Sequence, residues 1–242
     1  MSQLLAQLVE AGHVNLQTNT PVTKIVRANG TNVLVTDRGL LKAKRVVFAT
    51  NAYTAGILPE YADAIIPYKG TAVHITPKSL VFPHLSNTYN IHYPIPNVIE
   101  PVDYLNPRPD GSIVVGGGKW TYADDRSKWH NVWDDSTLLE ETVPHFDGLM
   151  QRHFRGWENS DAVTDMMWTG IMGLTPDGVP HVGEVPGSEG TQYILAGFNG
   201  GGNALIFLTA KGLAKMMVEG VAFEKTGLPR LFKTSRERLS DR

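Results

Sequence analysis

Apolar residues recur at helical spacing from the start of the chain: Leu4, Leu5, Leu8 and Val9, with Gly12 at the stop, predict a helix over residues 2–11. Alternating and β-branched runs then predict strands at 14–16, 23–27, 32–36 and 45–50, with Gly30 and Gly39 in the turns. The last of these, RVVFAT, is continuously apolar, as in a strand buried on both faces of a layered α/β sheet; a short helical segment would read the same way. From Pro67 to about residue 118, short β-rich runs separated by Pro, Asn and Gly predict a mostly antiparallel sheet. Thr137 and Glu140 have capping-box spacing, for a helix that Pro144 interrupts and that resumes through Phe154, whereas residues 121–135 show no period. Residues 192–198 read as a buried strand, and 204–219 as a helix with an apolar face of Leu205, Leu208, Leu213, Met216 and Met217. There is no internal repeat.

Composition narrows the function classes. The 242 residues, 42% of them hydrophobic, can bury a substantial core, and a net charge of -2 creates no field for nucleic acid or an anionic membrane. Without cysteine there is no disulfide, thiolate metal site or covalent cysteinyl link to a cofactor. The first residues lack a signal-peptide pattern, and the apolar stretch 204–218 is broken by Lys211 and Lys215, so a cytoplasmic, soluble protein is expected. The eight histidines show no metal-binding spacing, and no metal is expected.

The sharpest chemical signal is the junction YILAGFNGGGNALIF, where Gly200, Gly201 and Gly202 stand between a strand and a helix. Glycines there admit a ligand close to the backbone, and the free N–H groups of a first helical turn favour negative charge, such as that on N1 and the C2 oxygen of a reduced flavin. The same glycines would serve equally as a flexible loop ahead of a packing helix.

The order ATNAYTAGILP, PYKG, YLNPRPDGSIVVGGG, WTGIMGLTPDGVPHVG, LAGFNGGGNAL resembles the succession of landmarks in FAD-dependent oxidoreductases of the D-amino-acid-oxidase (DAO) superfamily, over nearly the whole chain. The final loop is most similar to the amine-oxidising branch that includes gamma-glutamylputrescine oxidase. The resemblance implies an α/β plus α+β fold: an incomplete Rossmann-like FAD-binding layer from 1–59 and 166–232, an inserted mixed, mostly antiparallel substrate sheet over 60–165, and a tail at 233–242. It implies non-covalent FAD, contacted by Val22 through its backbone, by Thr50 and Asn51 of the ATNAY stretch, and by Gly197, Asn199, Gly200, Gly201, Gly202 and Asn203. In the family that stretch reads Ala-Thr-Gly-Ala-Trp, so Asn51 replaces a glycine. It further implies a small-molecule amine or amino-acid substrate beside Trp168 and Met172. Amino-acid-oxidising relatives place an arginine at the position of Met172, and an uncharged thioether there points to a primary or secondary amine.

Weaker candidates accompany these. Trp120, Tyr122, Trp129 and Trp133 crowd one stretch and could wall a cationic amine or simply pack. Lys119, just past Gly118, could face the flavin or be a solvated strand-end lysine. The basic tail reads as a solvated end, and no Ser, His and Asp constellation supports a hydrolase. A family member should open with a strand, GxGxxG and a helix, and the sequence contains no such motif. The expectation is an N-terminally shortened chain that binds FAD weakly or not at all. Two functions compete: hydride transfer from a carbon next to nitrogen to flavin N5, with no catalytic protein base identified, or a non-catalytic structural or interaction module.

Overall fold

The computed structural model describes residues 2–28, 30–98 and 101–240. A first helix, α1 (Ser2–Glu10), leads into a three-stranded antiparallel sheet of β1 (Val22–Ala28), β2 (Thr31–Thr36) and β3 (Gly39–Ala43). Residues 14–16, expected as a strand, are irregular instead, because no strand pairs with them. β3 escapes sequence reading because it does not alternate: Leu40 and Leu41 are both exposed.

The run RVVFAT supplies only β4 (Val46–Phe48). It pairs in parallel with β11 (Gln192–Ala196), which pairs antiparallel with β10 (His181–Glu184), giving the order β10-β11-β4. The expected burial on both faces fails at Val47, which is 41% exposed on an edge strand while Phe48 is buried. Phe48 and Ile194 meet Leu58, Tyr61, Ile65 and Val185 in one core, built by packing the short 3-10 turns Asn51–Gly56 and Pro59–Tyr61 against this sheet.

The largest layer is a five-stranded antiparallel sheet of β5 (Ile66–Thr76), β6 (Tyr89–His92), β7 (Val102–Pro107), β8 (Ile113–Gly116) and β9 (Val163–Leu174), in the order β6-β7-β8-β5-β9. β9 continues through residues 165 and 166, pairing with β5 from Ile66↔Leu174 to Thr76↔Val163, with a bulge that skips Asp165 between His74↔Met166 and Ile75↔Thr164. Val73, Ile75, Leu105, Ile113 and Val115 point to one face of this sheet, where α2 (Val143–Phe146) and α3 (Leu149–His153) cover them with Phe146, Leu149 and Met150. Thr137 does not cap a helix. Pro144 lies in the first turn of α2, where its missing N–H is harmless, and the interruption falls at Gly148 instead.

The last long helix, α4 (Gly202–Glu219), buries Thr209, Gly212 and Leu213, whereas Leu208 of the expected apolar face is exposed. Gly212 takes that place because a side chain there would overlap Leu228. The described part of the basic tail packs back on the protein through Leu239, although its helix buries no residue fully. It forms α5 (Arg236–Ser240), and Thr234 donates its N–H to Val182. Among the described residues no helix is long and apolar enough to cross a membrane.

Candidate functional site

Direct cross-strand partners share a face of a sheet, so the register of the large sheet decides what its open face presents. Gly70 pairs with Gly170, Ala72 with both Gly116 and Trp168, and Tyr68 with Met172. The outcome is a floor of small residues bordered by Tyr68, Trp168, Met172 and, from β7, Tyr104. A side chain at Gly116 would overlap the Tyr104 ring, so that glycine is what lets the ring lie flat over the strand. The cleft above this floor has a volume of about 230 Å³ and is closed at one side by Gly117, Lys119 and Tyr122. A larger groove of about 670 Å³ runs along α4 against Leu228 and Phe232, with Lys211, Lys215 and Glu219 among its lining residues.

Met172 joins this cleft to the glycine loop. A Cβ at Gly70 would stand 3.0 Å from its methyl carbon, and one at Gly200 would stand 3.7 Å from its sulfur. The loop is held by two asparagines in the left-handed region. Asn51 (φ 45°) accepts at Oδ1 from the N–H of Gly197 at 2.9 Å and of Phe198 at 3.3 Å. Its substitution for glycine therefore keeps the left-handed backbone and adds a clasp between the ends of β4 and β11. Asn199 (φ 52°) donates its own N–H to the Gly173 carbonyl and accepts from the Thr175 N–H at 2.8 Å. Its side-chain nitrogen donates to Thr175 Oγ1 and the Gly197 carbonyl. Both side chains are thus occupied by the protein. What the loop leaves available is backbone: Gly201 precedes α4 without a side-chain cap, so the first N–H groups of the helix, at Gly202 and Asn203, face outward from the turn.

The remaining sequence candidates separate. Thr50 sits beside Asn51 and shares a hydroxyl contact of 2.9 Å with Thr54, while Val22 opens β1 opposite Thr36, in a different sheet. The aromatic stretch does not form one wall. Tyr122 lines the cleft and Trp129 packs edge-on to Tyr68, but Trp133 rests on Tyr53, and Trp120 packs against Tyr93 and His145. Lys119 places its ammonium 5.0 Å from the Tyr68 ring centre and 4.7 Å from that of Trp129. The residue stays accessible to solvent, yet enough water is displaced from the ammonium to lower its pKa.

Two polar clusters had no signal in the sequence, because their members are far apart along the chain. Asp103, fully buried, accepts from Tyr93 Oη at 2.8 Å, from His145 Nε2 at 2.7 Å and from the Gly118 N–H at 2.8 Å. Burial first, then the Asp103 carboxylate, raises the Tyr93 pKa. On the open sheet, His74 of β5 lies 2.7 Å from Asp165 of β9 through Nδ1 and 2.9 Å from Oγ of Ser112, the residue before β8, through Nε2. This has the outline of a nucleophile, base and acid, but Ser112 is 4% exposed and gives its one proton to Asp110 at 2.6 Å. Its oxygen can then only accept from His74, so the imidazole cannot act as its base, and the group straps the sheet together. The hydrogen bond from Thr76, with His74 beside it, holds Asp165 below the usual carboxylate range. Among the described residues no three histidines, aspartates or glutamates converge as metal ligands.

The profile of the DAO family, described as FAD dependent oxidoreductase, matches residues 1–216. A curated relative, glycine oxidase of Pseudomonas putida, is 24% identical over 195 residues, covering 78% of this chain and 46% of that protein. Among solved structures, glycine oxidase from Geobacillus kaustophilus superposes with a TM-score of 0.66 at 20% identity, over 97% of this chain and 57% of that one. L-proline dehydrogenase from P. horikoshii gives 0.65 at 21% identity, over 91% and 55%. These structures are similar in fold, and the chain spans about half the length of the proteins it matches.

Proposed function

From the premise that this chain belongs to the DAO family of FAD-dependent oxidoreductases, we propose that it takes part in oxidation of a C–N bond, with a small amine or amino acid bound over the glycine floor between Tyr68, Trp168 and Met172. The observation that carries this reading is the juncture at Met172, where the open face of the large sheet meets the loop ahead of α4.

The residues present fit the flavin end of FAD. Gly200 (φ 80°) leaves open the space beside Met172 that a side chain would fill, and the uncapped N–H groups of Gly202 and Asn203 suit a group that becomes anionic on reduction. They do not provide for the pyrophosphate, since the sequence has no GxGxxG between a strand and a helix. Bound there, the flavin would supply the acceptor for hydride leaving the carbon next to nitrogen. The protein's part is positioning: the small-residue floor admits a flat substrate, Met172 and Trp168 flank it, and Asn51 and Asn199 keep the loop rigid. No side chain needs to act as base if the amine enters neutral.

The competing reading is a non-catalytic module, favoured by the exposed apolar residues Val47, Phe207 and Leu208. Anaerobic mixing of the chain with excess FAD and a panel of amines and amino acids separates the two. Bleaching of the flavin absorbance that needs both protein and substrate is the expected result; none with any substrate would leave the module.

A further inference from the structure

We propose that Arg238, carried by the tail, is a positioning residue for the glycine loop ahead of α4: through the TPDG turn it sets the geometry of the backbone that would meet the flavin. This rests on the reading of that loop as the flavin end of the site, and it assigns a role to a residue beyond the stretch 1–216 that the family profile matches.

The first argument is a hydrogen-bond chain that runs from the tail to the loop. Arg238 Nη2 donates to the Val179 carbonyl at 2.9 Å, and Thr175 Oγ1 donates to the same carbonyl at 3.0 Å. Thr175 and Asn199 then bond reciprocally: the Thr175 N–H meets Asn199 Oδ1 at 2.8 Å, and Asn199 Nδ2 meets Thr175 Oγ1 at 2.9 Å. Asn199 Nδ2 goes on to the Gly197 carbonyl at 2.8 Å. Thr175 stands buried in the middle, its methyl group in the space that a side chain at Gly197 would need. Turning it to follow a displaced Val179 carbonyl would withdraw the hydroxyl that Asn199 uses.

The second is that the arginine is fully engaged by the turn and its own tail. Nε reaches Asp177 Oδ2 at 2.8 Å, and Nη1 reaches the Pro180 carbonyl at 3.1 Å and that of Lys233 at 3.2 Å. A planar fork that meets three carbonyls and a carboxylate at once fixes their relative placement, which a rotating ammonium would not.

The third is that the tail has anchors of its own. The Thr234 N–H is held by Val182, its hydroxyl lies 2.8 Å from Tyr61 Oη and 3.1 Å from His181 Nδ1, and Leu239 packs against the core of Phe48 and Ile194. Loss of the arginine therefore leaves the tail attached and removes its grip on the turn.

The test follows backbone amide exchange by NMR in the chain without flavin. The reporters are the bonded N–H groups of Thr175, Asn199 and Gly201, with Thr234 for the tail and the paired strands β5 and β8 for the large sheet. Arg238→Met should speed exchange at the three loop amides roughly tenfold or more, the loss of one charged hydrogen bond, while Thr234 and the large sheet exchange as in the parent. Thr175→Val removes the hydroxyl in the middle and should act similarly. The double variant should exchange no faster at Asn199 and Gly201 than the faster single one, since both cut one chain. Effects that multiply in the double variant, or loop amides unchanged in Arg238→Met, overturn the proposal. So does equal acceleration at every reporter, which a merely structural role would produce. If Arg238→Met fails to fold, Arg238→Lys keeps a cation beside Asp177 without the fork, and unchanged loop exchange in that variant overturns the proposal as well. Because no flavin is present, loop-specific acceleration alongside absent flavin bleaching would sink the oxidation reading and leave the coupling standing.

Discussion

Asn51 Oδ1 lies 2.9 Å from the Gly197 nitrogen, so one side chain at the end of β4 closes the end of β11. Asn51→Ala removes the acceptor of two backbone N–H groups and keeps a left-handed backbone that alanine disfavours. We expect a loss of about 2 kcal/mol or more. Asn51→Asp retains the acceptor and should stay within about 1 kcal/mol of the parent. Urea unfolding decides; equal loss in both variants would mean that the clasp contributes nothing.

Gly197 and Gly116 should respond differently to alanine. At Gly197 (φ 78°) the new Cβ would lie 2.6 Å from Thr175 Cγ2, on a side chain pinned by Asn199. Strain and overpacking there predict a loss of roughly 1–3 kcal/mol. At Gly116 the clash is with the ring end of Tyr104, which is exposed and can swing away, so stability should change by less than about 1 kcal/mol while the cleft changes shape. Thermal melts of the two variants test the contrast.

Burial, with Arg238 nearby, pushes His181 down from 6.5 to about 4. Its Nδ1 faces Thr234 Oγ1 and its ring packs edge-on to Tyr61. Between those pH values the unfolded chain binds a proton that the fold refuses. Stability is therefore full above about 6.5 and falls as the pH drops toward 4, by roughly 1.4 kcal/mol per unit from this group. His181→Gln should flatten that limb of a stability profile, and an unchanged slope would assign the acid sensitivity elsewhere.

Arg238 holds the TPDG turn from the tail: it donates to Asp177 Oδ2 at 2.8 Å and to the carbonyls of Val179 and Pro180. Burial opposes ionisation of Asp177, but the Val179 N–H and Arg238 outweigh it and keep its pKa low. Arg238→Met should lower stability by about 1.5–3 kcal/mol, as for a hydrogen bond to a charged group. Added salt should not reproduce the effect if the geometry of the fork, and not net charge, is responsible.

Periodicity placed α1, β1, β2, β11 and α4, although α1 buries none of the leucines that signalled it, and it did not resolve β9 or β10 as strands. It missed β3, where two exposed leucines hide the alternation, and it misplaced the break in the α2–α3 region, where Pro144 opens a helix instead of ending one. Resemblance pointed to Met172 and Trp168 as neighbours of the substrate and to the glycine loop as a neighbour of the flavin; in the structure Met172 and Trp168 line one cleft, and Met172 alone of the two lies beside Gly200. The Asp103 and His74 clusters were invisible, since their partners lie 42 and 91 residues apart; packing of α2 on the sheet brings His145 to Asp103, and the pairing of β5 with β9 brings Asp165 to His74. Lys119 was legible as a residue, but its place against the Tyr68 and Trp129 rings is a property of the cleft and not of the chain.

The parallel pairing of β4 with β11 also sets a timetable. The hydrogen bond that seals it spans 146 positions, so ribosomal synthesis delivers β4 long before anything it can pair with in that sheet. Until then the nascent chain carries an apolar strand with open edges, the condition that recruits chaperones and invites aggregation. Ribosome-bound chains arrested before Gln192 should therefore be cut by protease around Val46–Phe48, and chains arrested beyond Glu219 should resist.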